Sequence, residues 1–171
     1  YAITENLLDL VAMTRAHIAD PQIVNKLSAG QEERIRPCVG ATHCMSANRP
    51  TCLHNPAAGR ELQLPQVIAP SDKPGRRIVV VGGGPAGLEA ARVSAERGHQ
   101  VILFEAASQP GGQLLIASTG SWRADLAAVV DWRMGEITRL GVEVRTDTLA
   151  DSDDVHREDP EVVIIATGGT P

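Results

Sequence analysis

Gly82-Gly83-Gly84-Pro85-Ala86-Gly87 limits what this chain can fold into more than any other stretch. It has the spacing G-x-G-x-x-G and follows the apolar, β-branched run Ile78-Val79-Val80-Val81. A helical pattern continues from Pro85 to about Gly98, with Leu88, Ala91, Val93 and Ala95 among its apolar positions. A strand that turns through glycines into a helix is the phosphate-binding turn of a nucleotide-binding sheet. Gly82 permits the tight turn, Gly84 lets a pyrophosphate approach the backbone, and Gly87 lets the helix pack closely on the strand. The helix N-terminus offers free N–H groups and a partial positive charge to the phosphates.

The pattern beyond the turn alternates. Val101-Ile102-Leu103-Phe104 reads as a second buried strand, and Arg123 to Leu140 has helical spacing through Leu126, Val129, Val130, Met134 and Ile137. Val142-Glu143-Val144 and Val162-Val163-Ile164-Ile165 read as a third and a fourth strand. Alternation of this kind predicts an α/β fold, a Rossmann-like parallel sheet with helices on its faces. Glu105 ends the second strand, about 20 residues beyond the turn, where an acid accepts from the ribose hydroxyls of an adenosine. A carboxylate there repels a 2′-phosphate, which favours an ADP-ribose-type ligand or FAD over NADP. Gly111-Gly112-Gln113 and Ala166-Thr167-Gly168-Gly169 follow strands two and four. They read equally well as ordinary turns or as places where backbone meets ligand.

The first half of the chain is less regular. Asp9-Leu10-Val11-Ala12-Met13 predicts a short strand, and Asp20-Pro21 predicts the start of a helix that Gly30 ends. One strand and one helix cannot enclose a core, so residues 1–30 are expected to be the tail of a larger domain. Residues 31–75 carry Pro37, Pro50, Pro56, Pro65, Pro70 and Pro74 and the three cysteines, spaced Cys38-x5-Cys44-x7-Cys52. An odd cysteine count argues against a disulfide framework and for a metal or cluster site in a reducing, cytoplasmic setting, with three free thiols as the alternative. A cluster wants four thiolates, and Ala41 stands where C-x2-C-x2-C would place the middle one. A zinc ion would take its fourth ligand from His43 or His54. Asp151-Ser152-Asp153-Asp154 reads as a solvated loop, since the rest of a calcium loop is missing.

Composition excludes several functions. Lys and Arg number 16 against 21 Asp and Glu, for a net charge of −5, so a basic nucleic-acid face is not expected. Aromatic residues are 2% of the chain, too few for a base-stacking platform. Hydrophobic residues are 43%, enough for a buried core, yet no apolar run is long enough for a membrane span. The first residues lack the basic and apolar stretches of a signal peptide. No Ser-His-Asp arrangement, paired carboxylates or H-E-x-x-H helix supports hydrolysis.

Three stretches together resemble one family. Met13 to Pro21 resembles the last strand and helix of an old-yellow-enzyme-like barrel. Ile35 to Gly40 and Cys52 to Pro56 resemble its cluster-binding segment, and Val79 to Ala91 with Ile164 to Pro171 resembles its FAD- or ADP-binding domain. The family is the NADH:flavin oxidoreductases that include trimethylamine dehydrogenase, 2,4-dienoyl-CoA reductase and the N-methylproline demethylases. The Cys38 to Cys44 run is most similar to the demethylase branch. The resemblance implies a barrel remnant at 1–30, a cysteine segment and linker at 31–75, and part of an FAD- or ADP-binding domain at 76–171. It implies a relay in which FMN in the barrel, a 4Fe–4S cluster and FAD pass electrons during oxidative N-demethylation of an amine. Arg15 matches an FMN-phosphate arginine, and Cys38, Cys44 and Cys52 match three of four cluster ligands. The implied nucleotide contacts are Gly82, Gly84, Pro85, Ala86, Gly87, Glu105, Ala106, Gly112, Gln113, Val144, Ala166, Thr167 and Gly168. The implied partners are the rest of the same polypeptide, a small-molecule substrate, and NAD(P)H or an electron-transfer flavoprotein, in a homo-oligomer. Two alternatives remain: a module whose ADP is structural and carries no redox role, and a 2,4-dienoyl-CoA reductase-like protein.

Overall fold

Parallel pairing of four strands organises the second half of the chain. In the computed structural model, which describes residues 3–46 and 50–169, the chain divides into two compact units, residues 1–64 and 65–171. The last two positions of the stretch Ile164 to Pro171 lie outside the described residues. In the second unit the strands are β1 (Arg77–Val81), β2 (Gln100–Phe104), β3 (Glu143–Arg145) and β4 (Val162–Ile165). They lie in the order β3-β2-β1-β4, all parallel, with Val80 opposite Leu103 on one side and Ile164 on the other. The central position of β1 explains its unbroken β-branched run, since Ile78, Val79 and Val80 are all buried.

Two helices cover one face. Helix α4 (Pro85–Glu96) and helix α6 (Ala127–Arg139) are counted after α1 (Thr14–Ala19), α2 (Ile23–Ser28) and α3 (His43–Ser46) of the first unit and around α5 (Gln113–Ala117). Leu88 and Ala91 of α4 and Val130 and Ile137 of α6 meet Ile78, Val80, Val101 and Leu103 in one core. Buried charge ties the same two helices together. Glu89 accepts from Arg92 at 2.8 Å and from Arg133 at 3.1 Å, and the Arg92 guanidinium lies over the Trp132 ring. No helix of the described residues is long and apolar enough to cross a membrane.

The structure corrects four local readings. The helix expected from Arg123 begins as a 3-10 turn, Ser121–Leu126, and becomes α-helical only at Ala127. Tightened first turns are common where no side chain caps the start, and Leu126 supplies no cap. The acidic run at 151–154 is not a loop but the start of helix α7 (Ser152–Arg157). Asp151 accepts from the N–H groups of Asp153 and Asp154, while Asp154 accepts from the Asp151 N–H, a reciprocal cap at the positive end of the helix. In the first unit residues 9–13 form no strand, and each of them is exposed. A strand persists only where a neighbour takes its backbone groups, and no strand is present among the described residues of this unit. The helix expected from Pro21 begins at Ile23, and Asp20 accepts from the Gln22 N–H at 3.0 Å just ahead of it.

Glu89 bonds to both Arg92 and Arg133, whose side chains are 7% and 4% exposed, and Arg92 also pairs with Glu96 at 3.4 Å. Glu89→Ala is expected to cost about 3 kcal/mol by leaving buried guanidinium groups short of an anion. A urea titration of the purified variant checks this; an unmoved midpoint would show the network to be idle.

Candidate functional site

The carboxyl ends of β1, β2 and β4 open into a cleft of about 680 Å³. The turn after β1 forms its floor. Gly82 adopts φ +105°, and a Cβ there would lie 2.4 Å from the Ala166 carbonyl oxygen. A Cβ on Gly87 would lie 1.8 Å from the Gly82 carbonyl oxygen, so helix α4 reaches its position against β1 only with glycine at 87. Helix α4 starts at Gly84 with no side-chain cap, and Pro85 occupies its first turn. Pro85 and Ala86 line the cleft, so the start of the helix opens into it. Gly84 lines that cleft, and a Cβ there would meet nothing within 4 Å. This is the cradle a pyrophosphate requires.

Glu105 stands across the turn. Its Oε2 accepts from the Gly83 N–H at 2.7 Å and its Oε1 from the Ala107 N–H at 2.8 Å. A carboxylate has about four acceptor positions, so two remain for a pair of ribose hydroxyls. Glu105 is also the one charged group among the lining residues. Phosphates in this cleft therefore meet backbone N–H groups and a helix end rather than lysine or arginine, and a 2′-phosphate would meet a carboxylate and no cation.

The cleft gathers most of the candidate contacts. Gly82, Gly84, Pro85, Ala86, Glu105, Ala106, Gly112, Gln113, Ala166, Thr167 and Gly168 all line it. Gln113 Nε2 donates to the Gly169 carbonyl at 3.4 Å, which joins the two glycine segments at one end of the cleft. Gly87 lies behind the turn, and Val144 packs against the hydrophobic core instead of the cleft. Thr148, Leu149 and Ala150 line the cleft and were not anticipated. They are held there by the Thr148 N–H, which donates to the Glu105 carbonyl at 2.9 Å. The one signal in the sequence is Leu149, an apolar side chain in a polar segment, which the structure leaves 86% exposed at the cleft.

The first unit holds the cysteines. Cys38, Cys44 and Cys52 line one small cavity of about 20 Å³ with Arg15, Ala41 and His43. The Cys52 sulfur accepts from the His54 N–H at 3.4 Å. His54 is buried, and its Nδ1 bonds the Pro37 carbonyl at 3.0 Å. Asn55 donates to the Ile18 carbonyl and accepts from the Ala57 N–H. Asp20 is a second anchor, accepting from Lys26 at 2.6 Å and from the Arg36 N–H at 2.8 Å. Burial works against its charge, but the bonds from Lys26, Arg36 and Gln22 outweigh burial and hold its pKa below the ordinary aspartate value. Both cysteine arms are thus tied to the first helices: one just before Cys38, the other just after Cys52.

This donor set does not fit a four-thiolate cluster. It supplies three thiols, and the cavity admits about one water as it stands. Nor do three His, Cys, Asp or Glu side chains converge on a point that would hold a single metal ion among the described residues. Arg15, exposed on the same cavity, is one cation and does not by itself make a phosphate pocket for FMN. The nucleotide cleft, by contrast, fits a dinucleotide in shape and in donors.

Comparison with known proteins agrees with the fold. The family described as NAD(P)-binding Rossmann-like domain matches residues 80–140. The chain is 54% identical over its full length to a multifunctional alkene reductase/demethylase of Caballeronia cordobensis, of which it covers 25%. It is 49% identical over its full length to a probable N-methylproline demethylase of Rhizobium meliloti, covering 26% of it. The structure of 6-hydroxypseudooxynicotine amine oxidase from Pseudomonas geniculata superposes on 98% of the chain with a TM-score of 0.90 and 37% identity, over 26% of that protein. The chain therefore spans about a quarter of the length of the relatives it matches.

Gly84→Val is expected to leave folding intact, because φ −67° and the open space both accept a side chain, and to abolish nucleotide binding by filling the cradle. Nucleotide content of the purified variant, read beside its circular dichroism, checks both halves. For Asp20 the depressed pKa means that its stabilisation is complete above the unfolded value near 3.9 and is lost as pH falls through the folded one. Amide-exchange protection at Gln22 and Arg36 should fall in that acid range. In Asp20→Asn it should already be lower at pH 7, with no acid step.

Proposed function

We propose that the chain, similar along its full length to alkene reductase/demethylase and N-methylproline demethylase relatives, is the nucleotide-binding portion of a flavin-dependent amine demethylase or dehydrogenase. The observation that carries this reading is the cleft over the uncapped start of α4, with Glu105 as its one charge. The dinucleotide is FAD. Glu105 receives the adenosine ribose, Thr148 to Ala150 border the adenine, and the N–H groups following Gly84 receive the pyrophosphate. Gln113 and the Thr167 to Gly169 segment border the reactive end. A bound flavin supplies the reversible two-electron chemistry of hydride transfer. The chain's own residues bind it, fix its length across the cleft, and keep the phosphates on neutral backbone donors.

The substrate is a small secondary or tertiary amine such as an N-methylproline, in keeping with the demethylase relatives. It binds elsewhere in the full polypeptide, and the acceptor or donor at the far end is NAD(P)H or an electron-transfer flavoprotein. The three free thiols suit the reducing conditions of the cytoplasm.

An anaerobic absorption spectrum with identification of the released nucleotide tests the reading. FAD released from a yellow protein supports it. ADP released from a protein without flavin bands would replace it with a structural nucleotide and an external acceptor. Glu105→Ala should weaken nucleotide binding by roughly 1–3 kcal/mol through lost charge-assisted bonds, and an unchanged titration would remove Glu105 from the site.

A further inference from the structure

We infer that the ion pair between Arg145 and Glu158 is a clasp that holds the adenosine wall of the cleft in place, so that Arg145 is a positioning residue for nucleotide binding. This role rests on the proposed dinucleotide reading of the cleft and concerns its adenosine end alone. Thr148, Leu149 and Ala150 form that wall, yet they lie in no strand or helix. An irregular segment has few bonds of its own, so its place is set by what holds its two ends.

At the near end Arg145 closes β3, and its carbonyl accepts from the Glu105 N–H at 2.9 Å. Asp147 and Thr148 then donate to the Ala107 and Glu105 carbonyls at 3.0 and 2.9 Å. At the other end the wall runs straight into Asp151, the cap of α7. The wall is therefore only as steady as α7, and a helix of six residues does not hold itself in water. Its far end is tied instead. Glu158, the residue after α7, accepts from Arg145 through both oxygens, at 2.6 and 3.2 Å, and its carbonyl accepts from Arg77 at 3.0 Å. Arg145 and Glu158 stand 13 positions apart, so their pair closes one loop that contains the whole wall and the whole helix.

The Arg145 guanidinium is itself seated. Glu143 accepts from its Nε at 2.7 Å, and the group lies 5.3 Å over the Phe104 ring, which lines the cleft from the end of β2. One side chain joins the ends of β2, β3 and α7, while Arg145 is not among the residues that line the cleft. A half-exposed pair of this kind adds little to global stability. Its effect falls on a wall that must stand ready when a ligand arrives, because a wall ordered beforehand spares the nucleotide the cost of ordering it.

ADP is the probe, since it carries the adenosine and the pyrophosphate without a flavin. Its dissociation constant is measured by calorimetry on the full polypeptide freed of nucleotide, with Gly84→Val as the blank for binding outside the cleft. Arg145→Met and Glu158→Gln are each expected to weaken ADP about fivefold. The double variant should be no weaker than either one, and Arg145→Lys should recover part of the loss. Amide exchange at Asp147 and Thr148 should rise in the same variants and return to the wild-type rate when ADP saturates the site. The clasp is overturned if ADP affinity is unchanged, if the two losses simply add, or if exchange at Asp147 and Thr148 does not rise. FAD offered to the same samples separates the two readings. A wild type that takes ADP but not FAD removes the proposed flavin and leaves the clasp standing, whereas FAD binding indifferent to Arg145→Met removes the clasp alone.

Discussion

The close approach of α4 to β1 governs the second unit. The carbonyl of Gly82 sits where any side chain at position 87 would have to be, and this contact sets both the height and the direction of the helix. From it follow the placement of Leu88 and Ala91 on the sheet and the opening of the helix start into the cleft. The same contact leaves the first helical N–H groups without side-chain partners, which is costly in an empty cleft and favourable beneath a pyrophosphate. Packing and recognition therefore rest on one constraint. The ion network of Glu89, Arg92 and Arg133 holds the far side of the same helix, so α4 is fixed from two directions.

Recognition in this cleft is made almost wholly of backbone. A single carboxylate supplies the charge, and its two bonds to the N–H groups of Gly83 and Ala107 hold it at the strand end. That arrangement disfavours ligands through repulsion as much as it attracts them. A ribose with two hydroxyls finds acceptors, whereas a 2′-phosphate finds a like charge and no compensating cation.

The turn, the four strands and the acid after β2 were legible in the sequence because each depends on local chemistry: glycine where space is absent, β-branched residues where a strand is buried on both faces, a carboxylate at a strand end. The segment from Thr148 to Ala150 was not, because its place is set by a long-range bond from Thr148 to the Glu105 backbone. Val144 misled for the converse reason. It lies at the right strand but on the core side, and alternation along a three-residue strand is too short to tell the faces apart. The aspartates at 151–154 carried a readable signal, since an aspartate followed three residues later by another acid is a cap before it is a loop.

The cysteine unit follows a different logic. Its loops have little regular structure, so buried polar side chains take the place of a sheet. Asp20 holds the chain two residues before Cys38, and His54 and Asn55 hold the chain just after Cys52. Spacing in the sequence identifies the thiols but not these anchors, because an aspartate or histidine gives no sign of the carbonyl or amide it will meet. The two sites also differ in what a single substitution does. Backbone recognition in the cleft tolerates drift at most of its lining side chains. The thiol cavity depends on each position separately, because Ala41 on its wall carries no donor atom to stand in for a lost thiol.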